Sequence, residues 1–370
     1  MKIGLNATCF NDRPSGAKQR FIGIYAELVK RLPETEFVVY EPLDCRAGNW
    51  FDGAANVSVK RTPLTSTGRI RRFVDGLRYW GNALSKEQFD LFEVANLPLV
   101  RAPTGSTVLT IHDIRGMRPE SEIFERAAYK VFFERSLKAA DHVITVSEAA
   151  RDEILRIYPD VPISVIYNGL DAKLYDDVAE INITEVRLKY QLPEEFVLAV
   201  GHLEKRKNYL RLVEAIARLR DRGQSCSLVI VGNNSGERQA IQDRIESENL
   251  SGYVKLLSGL SDLEVRCVYK LCKLFVFPSS YEGFGIPILE AMAAQRPMVL
   301  SDIPVFREIT QDKGVYFPHD DVELMATAIE KVLSSNSECE RLVEYGNQRV
   351  QDFSFPILAA QMERFYRSLM

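Results

Sequence analysis

No apolar run in the 370-residue sequence approaches the roughly 20 residues needed to cross a bilayer, which argues against a membrane-spanning helix. The six cysteines, Cys9, Cys45, Cys226, Cys267, Cys272 and Cys339, are scattered without a C-x-x-C pair. Neither a zinc site nor a disulfide framework is expected from them, and a reducing compartment is. Charge of one sign is scarce as well: a net charge of -4 gives no global reason to expect nucleic acid. The charged segment and long apolar stretch of a signal peptide are missing, since the chain runs directly into Lys2-Ile3-Gly4-Leu5-Asn6-Ala7, a strand pattern. A cytoplasmic chain is therefore expected. Short-period repeats and low-complexity segments are also absent.

What is present is a 46% hydrophobic content, enough for a large core, and a length that suits two domains of ordinary size. The first strand, Ile3 to Ala7, leads through the polar turn Asn11 to Gly16 into a helix whose apolar positions Ile22, Tyr25, Leu28, Val29 and Leu32 keep three-to-four spacing. Further strands read at Phe37–Tyr40, Leu91–Val94, Val108–Ile111, His142–Val146 and Ser164–Tyr167, with helical segments over 122–140 and 148–157. The pattern restarts with strands at Phe196–Val200, Leu228–Val231, Val254–Leu257, Leu274–Phe277 and Met298–Leu300, separated by helices near 208–220, 237–248 and 262–272. Such alternation implies an α/β protein of two doubly wound, parallel-sheet, Rossmann-like domains facing each other across a cleft. The first domain spans 1–171 and the polar stretch 172–193 reads as a linker. The second spans 194–352, and 353–370 forms a helix expected to pack back on the first domain.

Ligands of open parallel sheets collect at the carboxyl ends of strands, so the segments just after strands hold the candidates. The buried strand Leu274–Phe277 runs into Tyr281-Glu282-Gly283-Phe284-Gly285-Ile286-Pro287-Ile288-Leu289-Glu290-Ala291-Met292. Gly283 and Gly285 allow close approach of backbone to ligand, and Pro287 suits a first helical turn. The free N–H groups of that helix end suit a phosphate, with Glu282 before it and Glu290 about two turns in. After Phe196–Val200 comes Gly201-His202-Leu203-Glu204-Lys205-Arg206-Lys207-Asn208, where consecutive cations sit at a helix amino end that disfavours them. A bound anion accounts for them: bidentate bonds from Arg206 and a point contact from Lys207 would hold a diphosphate. His112-Asp113 closes the strand Val108–Ile111, and a histidine there is as readily functional as structural. The helix around Gly68–Trp80, with Arg69, Arg71, Arg72 and Arg78 mostly off its apolar face, either covers the sheet or touches an anionic membrane or a phosphorylated acceptor.

These residues resemble the signatures of family 4 retaining glycosyltransferases of the GT-B fold. Gly201 to Asn208 and Glu282 to Met292 carry the resemblance most specifically, and Thr110-Ile111-His112-Asp113, Val146-Ser147 and Ile166-Tyr167-Asn168-Gly169-Leu170-Asp171 extend it over nearly the whole chain in order. The resemblance implies transfer of a sugar from a nucleotide diphosphate sugar, GDP-mannose being preferred, to a hydroxyl of a glycan or lipid-linked acceptor in cell-surface polysaccharide synthesis. By the same likeness Arg206 and Lys207 hold the diphosphate, Glu282 faces donor hydroxyls and Glu290 the ribose. The amides of Phe284, Gly285 and Ile286 approach the sugar and phosphates, Gly16 covers the phosphates, His112 lies near donor sugar and acceptor, and the base contacts Gly232 and Leu260. No D-x-D motif occurs, in keeping with cations in place of a metal; no cofactor beyond the co-substrate, no nucleic-acid partner and at most peripheral contact with the inner face of the membrane are expected. The loop after Gly16 departs from the commoner form, reading Ala17-Lys18-Gln19-Arg20, which adds Lys18 or Arg20 as a phosphate or acceptor contact. Two alternatives stay open: a sugar-nucleotide epimerase or hydrolase of the same fold, and a non-catalytic nucleotide-sugar-binding subunit.

Overall fold

Strands apolar on both faces are stable only when helices cover both sides of a sheet, and this requirement shapes each half of the molecule. The computed structural model describes residues 1–12, 15–51, 53–95, 100–118, 123–224 and 226–370, with backbone alone at 69–73, 77 and 123–125. The chain divides into two units, Met1–Gly169 with Phe355–Met370, and Leu170–Ser354.

In the first unit β1 (Lys2–Asn6), β2 (Glu36–Glu41), β3 (Val57–Arg61), β4 (Leu91–Val94), β5 (Ser106–Ile111), β6 (His142–Thr145) and β7 (Ile163–Val165) form a sheet of order β3-β2-β1-β4-β5-β6-β7. Every described pairing is parallel. One face packs on the helices Gly16–Arg31 and Phe355–Ser368 through Phe21, Tyr25, Leu28, Leu358, Met362 and Tyr366. The other is covered by Trp80, Leu84, Phe133, Leu137 and Ile154. The buried Glu93 on β4 accepts hydrogen bonds from Thr110 (2.7 Å) and from the hydroxyl of Tyr366, whose oxygen lies 3.2 Å from that of Tyr25. With Arg31 paired to Glu363 at 3.0 Å, this network fixes the last helix to the first unit.

The second unit holds β8 (Phe196–Val200), β9 (Ser227–Val231), β10 (Val254–Leu257), β11 (Leu274–Phe277), β12 (Met298–Ser301) and β13 (Val315–Phe317), all parallel, in the order β10-β9-β8-β11-β12-β13. Residues 172–193 are not a linker: they form the helices Lys173–Asp176 and Glu180–Lys189 inside this unit. The second of these docks on the helix Asp262–Leu271, where Glu264 takes Lys189 (2.6 Å) and the Tyr190 hydroxyl (2.9 Å). Its apolar face is too thin to read, with Val186 buried but Leu188 73% exposed. The basic helix spans Arg69–Leu84; the side chains of Arg69, Arg71 and Arg72 lie outside the described residues, Trp80 and Leu84 are buried, and Val74 and Arg78 are exposed. Among the described residues no helix is long and apolar enough to cross a membrane.

Candidate functional site

β8 and β11 are neighbours in the sheet, so the turns leaving their carboxyl ends meet. After β8 the chain makes one tight helical turn, Lys205–Lys207, then passes through Asn208 in the left-handed region (φ 60°) into the helix Tyr209–Asp221. After β11 it turns through Gly285 (φ 138°), a conformation that favours glycine, into the helix Ile286–Ala293 with Pro287 in its first turn. Glu290 therefore sits little more than one turn into the helix, closer to its start than the sequence spacing suggested.

Glu282 is the point where the two turns lock. One carboxylate oxygen accepts from Lys207 Nζ (2.7 Å) and the Ser279 hydroxyl (2.8 Å), and the other pairs with Arg206 at 2.6 Å. Arg206 also pairs with Glu204 at 2.6 Å and donates to the Tyr281 carbonyl at 3.0 Å, while its own carbonyl accepts from the Ser280 amide at 2.8 Å. Lys207 is only 6% exposed, its ammonium 4.6 Å from the centroid of Phe277. Burial pushes the Lys207 pKa down, partly offset by Glu282. Burial likewise favours a protonated Glu282, but Lys207 and Arg206 outweigh it and hold the carboxyl below its usual range. The cluster is thus two cations against two carboxylates, with Asn208 tying it to neighbouring strand ends through bonds to the carbonyls of Pro278 (3.2 Å) and His319 (2.6 Å).

Glu290 accepts from the Tyr269 hydroxyl at 2.9 Å. Burial pushes its carboxyl pKa up, with hydrogen bonds from Tyr269 and Tyr175 acting the other way. Tyr175 belongs to the segment misread as a linker, and neither tyrosine was singled out by sequence. Gly232 must be glycine, because a Cβ there would stand 1.9 Å from the Gly201 carbonyl oxygen. Next to it, Asn233 accepts from the Gly259 amide at 3.1 Å, which brings Leu260 to the same edge. Phe284 packs edge-on against Phe353 with centroids 5.9 Å apart, so its ring is structural. Arg206, Lys207, Glu282 and Glu290, with Gly232, Leu260, Phe284, Gly285 and Ile286, thus lie on the loops and helix starts that follow the strands of one sheet.

Gly16 and His112 belong to the first unit. Gly16 opens the helix Gly16–Arg31, whose cap Ser15 accepts from the Lys18 amide at 3.2 Å. Arg20, 2% exposed, donates to the Ile166 carbonyl at 3.4 Å. His112 follows β5; burial, then the Arg20 guanidinium, push its pKa from 6.5 to about 3, so the ring is neutral at neutral pH. Between those two values the unfolded chain binds more protons than the folded one, so this histidine makes stability rise with pH across that window. Arg20→Gln is expected to raise the His112 pKa, read from its Cε1 proton by NMR; an unchanged titration would show that burial alone sets it.

Residues 16–174 match the Glycosyltransferase Family 4 family and residues 182–349 match the Glycosyl transferases group 1 family. The O-antigen chain mannosyltransferase RfbU of Salmonella typhimurium is 30% identical over 238 residues, 64% of this chain and 62% of that protein, so the match leaves more than a third of that relative uncovered. The O-antigen chain mannosyltransferase B of Escherichia coli is 28% identical over 267 residues, 71% of this chain and 70% of that one. HepE of Anabaena, solved in complex with UDP and glucose, superposes with a TM-score of 0.76 at 20% identity over 100% of both chains, a likeness of fold.

Proposed function

The chain belongs to the GT-B glycosyltransferases in which a family 4 domain precedes a group 1 domain, and from that membership we propose that it moves a sugar from a nucleotide diphosphate sugar to a hydroxyl of a glycan or lipid-linked acceptor, with retention at the anomeric carbon. The observation that carries this reading is Glu282 held between Lys207 and Arg206 at the end of β11. The two cations are already in place for a diphosphate and are kept so by a carboxylate that an arriving ligand partly displaces. Preorganised positive charge of this kind stabilises a departing phosphate without reorganisation during the reaction. Glu282, once released from part of its pairing, is free to grip donor hydroxyls, and Glu290 takes the ribose. The backbone around Gly232 and Leu260 receives the base, the amides of Phe284, Gly285 and Ile286 the phosphates and sugar, with Gly16 on the phosphates. Neutral His112 serves as a hydrogen-bond partner for the transferred sugar or the acceptor hydroxyl.

In the reaction the anomeric carbon–phosphate bond breaks and the bond to the acceptor oxygen forms on the same face, the acceptor proton passing to the departing phosphate. No metal is assigned. GDP-mannose is the proposed donor, supported by the mannosyltransferase relatives, and cell-surface polysaccharide the proposed product. Peripheral membrane contact through the helix Arg69–Leu84 belongs to the same reading, supported by exposed Val74 and Arg78.

A thermal-shift panel of nucleotide sugars tests the donor. GDP-mannose at 100 times its dissociation constant is expected to stabilise the chain by about 2.7 kcal/mol. Nucleotide release should require an acceptor. Release without one favours a hydrolase, stabilisation without any turnover favours a binding subunit, and no shift with any nucleotide sugar sinks the reading.

A further inference from the structure

We propose that a hollow at the carboxyl ends of β1, β2 and β3 is a subsite for a neutral pyranose of the acceptor glycan, with Trp50 as its floor. The proposal rests on the transfer reading above for the identity of its ligand, but its residues all belong to the first unit. The hollow measures about 390 Å³ and is lined by Asp12, Cys45, Arg46, Asn49, Trp50 and Arg61 among others. Three successive strand ends of a parallel sheet supply it, which is where such sheets take ligands. Asp12 follows β1 and lies three residues before the helix cap Ser15 in the sequence.

Trp50 is half-buried, and its ring is set by edge contacts with Phe10 and Phe21, each at 6.1 Å between centroids. Lys18 Nζ lies over the ring, 5.5 Å from its centroid. A fixed aromatic plate suits the C–H face of a sugar ring, since its negative face attracts those hydrogens and its apolar area is buried at little entropic cost. The polar groups around it decide the class of ligand. Asp12, Asp44 and Glu41 stand against Lys18, Arg46 and Arg61, three charges of each sign, so the hollow offers an anion no net attraction. Several of these groups are already committed. Asp44 accepts from the Ser66 amide (2.8 Å) and hydroxyl (2.9 Å), Arg61 donates to the Leu43 carbonyl (2.5 Å), and Arg46 reaches Glu41 (3.4 Å). Exposed Asp12, one oxygen of which accepts from the Cys45 thiol at 3.6 Å, and exposed Asn49 remain to accept from and donate to hydroxyls beside the ring. A neutral, hydroxyl-rich ligand with one apolar face matches this set; a phosphate or an acyl chain does not.

The sequence has two tryptophans, and Trp80 is only 5% exposed, so a change in fluorescence on ligand binding reports Trp50. Methyl α-mannopyranoside, methyl α-glucopyranoside, methyl α-galactopyranoside and inorganic phosphate are titrated into the full chain. At least one pyranoside is expected to give a saturable change that weakens by about tenfold in Asp12→Asn, while phosphate gives none. In a transfer assay Trp50→Ala is expected to raise the acceptor KM by about tenfold with the donor KM unchanged, and Trp50→Phe, which keeps a flat ring, to raise it less. A response to phosphate in place of the pyranosides, no response to any pyranoside, or an unchanged acceptor KM in Trp50→Ala overturns the subsite. Failure of the donor reading is seen separately, as absence of any nucleotide-sugar thermal shift in the wild-type chain, and leaves the fluorescence titration to decide the subsite by itself.

Discussion

Lys207→Met is expected to lower the transfer rate by about a thousandfold, the upper range for loss of one electrostatic contact to a developing charge. It is also expected to lower the melting temperature. The ammonium is 6% exposed and bonded to Glu282 at 2.7 Å, so its removal strands a largely buried carboxylate. Breaking a buried pair from one side costs about 3–5 kcal/mol, more than the pair itself contributes, because the remaining charge is uncompensated. Arg206 stays against the other carboxylate oxygen at 2.6 Å, which keeps the loss toward the low end of that range. The double variant Lys207→Met with Glu282→Gln separates the two effects. It is expected to recover most of the thermal stability, since no lone buried charge remains, and none of the turnover. Turnover at saturating donor and the melting temperature of the parent chain and the two variants decide it; if Lys207→Met leaves both unchanged, the cation neither supports the fold nor holds a phosphate.

The strands with apolar residues on both faces are legible in sequence because burial on two sides leaves a continuous apolar run, as at Leu274–Phe277 and Leu228–Val231. Val57–Arg61 is not legible: it is the edge strand, mostly exposed and carrying Lys60 and Arg61, the charge pattern that protects an unpaired edge. Val315–Phe317 and the helix Pro304–Thr310 are too short for a period to show. At the site, residue types near glycine turns are visible one loop at a time. Their partnerships are not, because Lys207 and Glu282 are 75 residues apart and meet only through the pairing of β8 with β11. The bonds Asn208 makes leave no signal either, since they go to backbone carbonyls that any residue could supply. Tyr175 was hidden by the reading of its segment as a linker, a polar stretch whose short helix gives no sheet or heptad pattern. The signal that could have found it is the apolar pair Leu174-Tyr175 with Val178 three residues on, set among charged neighbours.

Glu282→Gln is expected to reduce turnover by about a hundredfold while leaving donor binding equal or tighter. The amide keeps the size of the side chain and can still accept from Ser279 and Lys207, so the two turns remain joined. What it removes is the negative charge that competes with a diphosphate for Lys207 and Arg206. In the ground state that loss favours the donor, because both cations are then available to its phosphates. In the transition state it works against the reaction, since the sugar gains positive charge as the bond to phosphate lengthens and a carboxylate gripping its hydroxyls is stabilising only when ionised. Glu282 is suited to this because the two cations hold its carboxyl below the usual range in spite of burial, so it is ionised at neutral pH. An interaction that strengthens only along the reaction shows itself in turnover and not in affinity. Single-turnover rates alongside a donor dissociation constant from thermal shift give the two numbers. Unchanged turnover refutes the role, and equal losses in turnover and affinity reduce Glu282 to a binding group that acts before the chemistry begins.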